Sequence, residues 1–257
     1  MRLIRLFLAF AIMLGLGAVT AVVWLVPAPR WRRRRTRSLR QTWARAMLWL
    51  LRVRVRVEPP DADLSGTALY VANHTSYLDI LVLMSRTPGV FVSKLGIIWW
   101  PVVGQIACLG ETLFVNRNNR LGVGRLVEKV RKRLGAGGSV VFFPEATSSN
   151  GDTLLPFKSS LFAAADDGEG RLFAIRPLVV RYESIGGRPV DRSNRDRIYW
   201  YDDMLLPPHT WGLLAAPGID VVVRVLPERM LSGPRGRFAR DLRREMLKEI
   251  RIPGTVA

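Results

Sequence analysis

The chain has 257 residues, 49% of them hydrophobic, with 16 prolines and 22 glycines spread along it, the composition of a folded protein with a good-sized core and one or two domains. A single cysteine, Cys108, excludes an internal disulfide framework, and with only two histidines it argues against a Cys/His zinc site. The net charge of +18 is concentrated, because residues 1–57 hold thirteen arginines and no acidic residue, whereas the other 200 residues carry 26 basic and 21 acidic side chains.

Leu6 to Val26 is a run of 21 residues without a charge. As a helix rising about 1.5 Å per residue it would cover about 30 Å, the thickness of a bilayer core. It is longer than the apolar region of a signal peptide, about 7 to 15 residues. A nucleic-acid-binding arm would explain Arg30 and Arg32 to Arg35 but not the apolar run beside them. A membrane anchor followed by a basic juxtamembrane cluster explains both, each arginine near anionic lipid contributing about 1 kcal/mol. The heavier positive flank follows the span, which places the main body on the cytoplasmic face of the inner membrane by the positive-inside rule. Arg2 and Arg5 pull the other way, and a helix that enters one leaflet without crossing is the alternative.

Leu39, Trp43, Met47, Leu50 and Leu51 then recur at helical spacing with Arg40, Gln41 and Arg45 between them, which predicts an amphipathic helix. Val53, Val55 and Val57 alternate with Arg52, Arg54 and Arg56, which predicts a strand with one wet face, closed by Glu58-Pro59-Pro60. Residues 1–57 form the anchor, basic cluster and amphipathic helix in this division, and residues 58–257 the main domain. Within it, apolar runs predict strands over 68–72, 90–93, 113–115, 139–143, 174–182 and 221–226. Helical patterns fall near 77–85, 120–135, 158–166 and 236–251. The alternation predicts an α/β fold with a central mixed sheet flanked by helices, preceded by the anchoring helix and the amphipathic helix.

Residues 73–79 read Asn-His-Thr-Ser-Tyr-Leu-Asp, directly after the first of these strands. A histidine oriented by a carboxylate is a general base usable near neutral pH. On one continuous helix, residues five apart stand about 140° apart, so His74 and Asp79 can meet only with His74 in the turn and Asp79 in the first helical turn. Ser76 fits as the N-cap, and Ser76-x-x-Asp79 has the form of a capping box. At residues 141–149, Val-Phe-Phe-Pro-Glu-Ala-Thr-Ser-Ser, a second strand ends where Glu145 emerges. In an open α/β sheet, ligands gather beyond the carboxyl ends of the strands, so both turns can line one crevice.

Together these motifs resemble the glycerolipid acyltransferases of the 1-acylglycerol-3-phosphate type. The first block matches that family's N-H-x4-D pattern in full. Leu113 to Arg117 is similar to its second block, Phe143 to Ser149 to its third, and Ile175-Arg176-Pro177-Leu178 to its fourth. The resemblance implies His74 and Asp79 as the catalytic pair and Asn73, Arg117, Glu145 and Thr147 as substrate contacts; Lys94, which follows a candidate strand, is a further substrate contact if it points into the same cleft. Ala146 stands where the family usually has glycine, and Ser148 where it usually has arginine. The Ser-Ser-Asn-Gly run after the glutamate, Leu155 to Ser159, and Trp200-Tyr201-x-Asp203-Met204 with His209 are similar to the branch that acylates lyso-ornithine lipids, whose acceptor has no phosphate.

The implied activity is acyl transfer from acyl-CoA or acyl carrier protein to a lysolipid hydroxyl. Membrane lipids and the thioester donor are the partners, and no cofactor, metal or nucleic acid is expected. His209, in a Pro207-Pro208 setting that reads as a loop, is the rival base, and Cys108 lies in no motif. Trp99, Trp100 and Pro101 are candidates for the membrane interface. The different-class rival is a basic, non-catalytic lipid-binding protein on the membrane surface that retains the fold.

Overall fold

The computed structural model describes residues 2–100, 103–116 and 119–250. Two helices open the chain, α1 (Arg2–Trp24) and α2 (Pro29–Leu50), and pack against each other. Then follow β1 (Val53–Glu58), β2 (Leu69–Ala72), α3 (Leu78–Arg86), β3 (Val90–Lys94), α4 (Val103–Leu109), β4 (Leu113–Val115), α5 (Arg120–Gly135) and β5 (Val140–Phe142). The last elements are β6 (Ile175–Ile185), β7 (Arg188–Pro189), α6 (Leu206–Leu213), β8 (Ile219–Val225) and α7 (Arg235–Glu249).

The sheet runs β1-β8-β6-β2-β5-β3-β4, with β7 hairpinned on β6. Strands β6, β2, β5, β3 and β4 are mutually parallel, and β8 turns antiparallel to β6 and carries β1 beside it. The sheet is therefore mixed, as its pattern predicts. The boundary after residue 57 falls inside β1, which pairs with β8 in the sheet.

All four residues of β2 are buried, and they alternate between two cores. Tyr70 and Ala72 face a cluster with Leu78, Val82 and Leu83 of α3 and Leu48 of α2. Leu69 and Val71 face the opposite cluster with Leu126 and Val130 of α5 and Leu242 and Met246 of α7. Continuous apolar strands are what a sheet covered on both faces requires.

The arginine run from Arg32 lies within α2, which begins at Pro29, and Arg32 lies over the Trp24 ring at 4.8 Å. Two expectations are corrected. The predicted helix near 158–166 is a 3₁₀ segment over Ser160–Ala165. Pro207-Pro208 opens α6 and does not form a loop, since proline is tolerated in the first helical turn, where its missing N–H has no partner to lose.

Candidate active site

The parallel strands put the turns after β2, β5, β3 and β4 along one edge of the sheet. His74 leaves β2 in the first of them, and Asp79 sits in the first turn of α3. Their side chains meet at 3.0 Å, His74 Nδ1 to Asp79 Oδ2, as the helix-angle argument requires. Asp79 is fully buried. Its Oδ2 also accepts the backbone N–H groups of Thr75 at 2.8 Å and Ser76 at 2.9 Å, and its Oδ1 accepts the Tyr182 hydroxyl at 2.6 Å. Half of the expected capping box forms in this way. The Ser76 hydroxyl does not reach Asp79 N; it accepts from Leu78 N and donates to Ile198 O at 2.6 Å.

The imidazole stacks on Phe143, ring centroids 4.0 Å apart and 11° from parallel. Its side chain keeps 16% exposure, and among the described residues no hydrogen bond engages Nε2. The loop after β5 grips the main chain on both sides of the ring. Glu145 Oε1 accepts His74 N at 2.8 Å, and Ser149 N donates to His74 O at 2.9 Å. The other Glu145 oxygen accepts Leu155 N at 2.7 Å. Burial pushes the Glu145 carboxyl up to about 7, against the lowering effect of the Leu155 and His74 N–H groups.

The remaining expected contacts divide. Asn73 is buried with its amide spent on β6, accepting Val180 N at 2.7 Å and donating to Val180 O at 3.0 Å. Asn73 and Glu145, expected as substrate contacts, thus have their side chains committed to backbone. Thr147 is exposed and Ser148 buried in the same loop. Lys94 is exposed at the end of β3, in register with Val115 at the end of β4. Arg117 lies outside the described residues, as does Pro101; Trp99 is exposed and Trp100 half-buried. Cys108 is exposed on α4.

His209 has both ring nitrogens occupied. Nε2 lies 2.9 Å from the Tyr199 carbonyl, which only an N–H can satisfy, so Nδ1 accepts the Tyr77 hydroxyl at 3.0 Å. Burial depresses its basicity. Two groups outside the four family blocks also build the site. Tyr182 reaches Asp79 from β6. Residues 198–200 cover the histidine loop through Ser76–Ile198 and a Trp200 N to Thr75 O bond of 2.9 Å. The Thr75 hydroxyl and the Trp200 indole N–H are buried without a partner among the described residues. A cleft of about 400 Å³ elsewhere is lined by Arg56, Glu58, Arg181, Glu183, Arg224 and Glu249. These side chains pair largely with one another, and the cleft contains neither histidine.

The sequence profile of the Acyltransferase family matches residues 52–181. The chain belongs to the Acyltransferase family. The match ends one residue before Tyr182 and includes His74, Asp79 and Glu145. This acyltransferase is 37% identical over 205 residues to the lyso-ornithine lipid O-acyltransferase of Rhizobium meliloti (strain 1021), covering 78% of this chain and 68% of that one. It is 32% identical over 179 residues to the 1-acyl-sn-glycerol-3-phosphate acyltransferase of Neisseria meningitidis serogroup B, covering 70% and 67%. The fold matches the crystal structure of the 1-acyl-sn-glycerophosphate acyltransferase PlsC from Thermotoga maritima at a TM-score of 0.61 and 20% identity, over the full length of both chains.

Proposed function

We propose that this acyltransferase is a membrane-bound lysolipid O-acyltransferase, taking its acyl chain from a CoA or carrier-protein thioester. Lyso-ornithine lipid is its preferred acceptor over 1-acylglycerol-3-phosphate. The observation that carries the catalytic reading is the 3.0 Å His74–Asp79 contact with Nε2 left for substrate. His74 Nε2 takes the proton of the lysolipid hydroxyl, and Asp79 stabilises the imidazolium. The oxygen attacks the thioester carbonyl, and the tetrahedral intermediate expels the thiolate, which leaves with the proton from His74. General-base assistance of this kind is worth about 10² to 10⁴-fold. The unpartnered Thr75 hydroxyl and Trp200 N–H are donors for the charge that develops on the carbonyl oxygen.

Lys94, Arg117 and Thr147 are the head-group residues in this reading. Strands lie about 4.8 Å apart, so β3 puts Lys94 about 10 Å from the base, the scale of a lipid head group. Asn73 and Glu145 act as supports. Ser148, in place of arginine, removes a charge-assisted contact to a phosphate, and the similarity to the Rhizobium enzyme supports the same choice.

Membrane attachment rests on α1, one helix long and apolar enough to cross a bilayer. Both of its ends are tied to the domain, Arg5 to Leu214 O at 2.7 Å and Trp24 to Leu109 O at 3.2 Å. Phe7, Leu14 and Val22 are exposed between them, and Leu3 is exposed before the first. The two tethers support insertion into one leaflet, with the domain on the cytoplasmic face.

Purified protein given both lysolipids side by side should acylate lyso-ornithine lipid faster, and His74→Ala should abolish both reactions. Preference for the phosphate acceptor would overturn the acceptor assignment. Substantial turnover by His74→Ala would overturn the base.

A further inference from the structure

The four donors on Asp79 divide unevenly between its oxygens. Oδ2 receives His74 Nδ1 and the Thr75 and Ser76 N–H groups, all from the turn that Asp79 itself closes. Oδ1 receives only the Tyr182 hydroxyl among the described residues. Tyr182 lies on β6 beyond the Ile175–Leu178 block, 103 residues from Asp79 in sequence.

We propose that Tyr182 is a positioning residue for acyl transfer, whose hydroxyl holds Asp79 and thereby sets the basicity of His74. The inference rests on the reading of His74 as the general base. A fully buried carboxylate is costly unless its oxygens are matched by donors. Tyr182 meets that requirement at the oxygen the turn cannot reach.

Its own placement is fixed on three sides. Asn73 grips β6 two residues earlier at Val180. A register shift between Tyr182 and Ser184 follows it, and the Tyr199 ring packs against it edge-on at 5.6 Å. Burial, and then the Asp79 charge, keep the phenol protonated, so it is a donor at every pH the enzyme meets.

While Tyr182 shares the Asp79 charge, the imidazolium feels only part of it. Without that donor the buried charge is left to Oδ2, where His74 shares it with the Thr75 and Ser76 N–H groups. The imidazolium is held more tightly, and less free base is present at a given pH. The other titratable groups facing the pair are Glu145 from the β5 loop and Tyr199 from the covering segment, with Arg195 and Asp152 behind it. His209 stands one ring further out, against Tyr77. All are unchanged in the Tyr182 variants.

The test is kcat and KM against pH for the full-length enzyme in lipid, with lyso-ornithine lipid and an acyl thioester. Tyr182→Phe should lower kcat about three- to tenfold below the acid limb, as the fraction of free base falls, with KM little changed. The acid limb should move up by about half a unit to one unit. A fluorinated tyrosine at position 182, a stronger donor of nearly the same shape, should move the limb down and guards against a folding defect in the phenylalanine variant. If both variants keep the wild-type limb while His74→Ala is inactive, the role of Tyr182 is overturned and the base stands. Turnover by His74→Ala removes both.

Discussion

Glu145 shows how a residue legible by type keeps its partners hidden. Its emergence beyond a strand end marks a carboxylate at the crevice, and a head-group contact follows by resemblance. The structure spends both oxygens on backbone N–H groups of His74 and Leu155. One-dimensional spacing cannot reveal this, because the two partners lie 71 and 10 residues away. The carboxyl has a measurable signature: it stands at about 7, raised from an ordinary 4.5. Stability linked to it is therefore fully present below about pH 4.5 and is lost as pH rises through about 7, on the order of 3 kcal/mol at most at about 1.4 kcal/mol per unit. Glu145→Gln should be less stable at low pH, because its NH2 faces a backbone N–H. Its deficit should shrink as pH rises, read from denaturation midpoints across the range; a constant deficit would contradict the raised carboxyl. Ala146, beside it, has φ of 64°. Replacing the family's glycine here costs about 1 kcal/mol of left-handed strain, and the fold absorbs it.

The strands and helices that build the site were legible because their patterns are strong. The predicted strand starting at residue 68 and the helix near 77–85 correspond to Leu69–Ala72 and Leu78–Arg86, which is why the His74–Asp79 geometry could be derived. The elements that escaped have no periodic face. Val103–Leu109 offers mostly apolar and small residues, and α6 hides behind two prolines. The covering segment around Ile198 and Trp200 is irregular, so only its side-chain types could mark it. Nor does sequence show that the C-terminal helix supports the site. Arg243 of α7 donates to the carbonyls of Leu154 and Leu155, and the Leu155 N–H in turn holds Glu145. Arg243→Met should lower stability by about 1–3 kcal/mol through the carbonyls left unpaired. Activity should fall with it, although the residue touches no reacting atom. A melting temperature equal to that of the wild type would mean that the loop is held by other contacts.

For the molecule as a whole, α1 is a part of the domain surface as much as an anchor. Its outward face is apolar over about 34 Å, while Arg5 and Trp24 bond it at both ends to the body. Single cysteines introduced in a Cys108→Ser background at Leu3→Cys and Val22→Cys should both resist an impermeant thiol reagent applied from the far side of the membrane. Labelling of Leu3→Cys from that side would show that the helix crosses. The pairing of β1 with β8 has a consequence of a different kind, in the order of assembly. During synthesis β1 is made directly after α1 and α2. Its partner residues 219–224 are among the last of the sheet to be made. Chains fold from the leading end as they appear, so the bilayer can receive α1 long before the sheet is complete. If α1 inserts, the sheet closes at the bilayer, where an unpaired edge strand tethered to lipid is kept from meeting its own kind in solution.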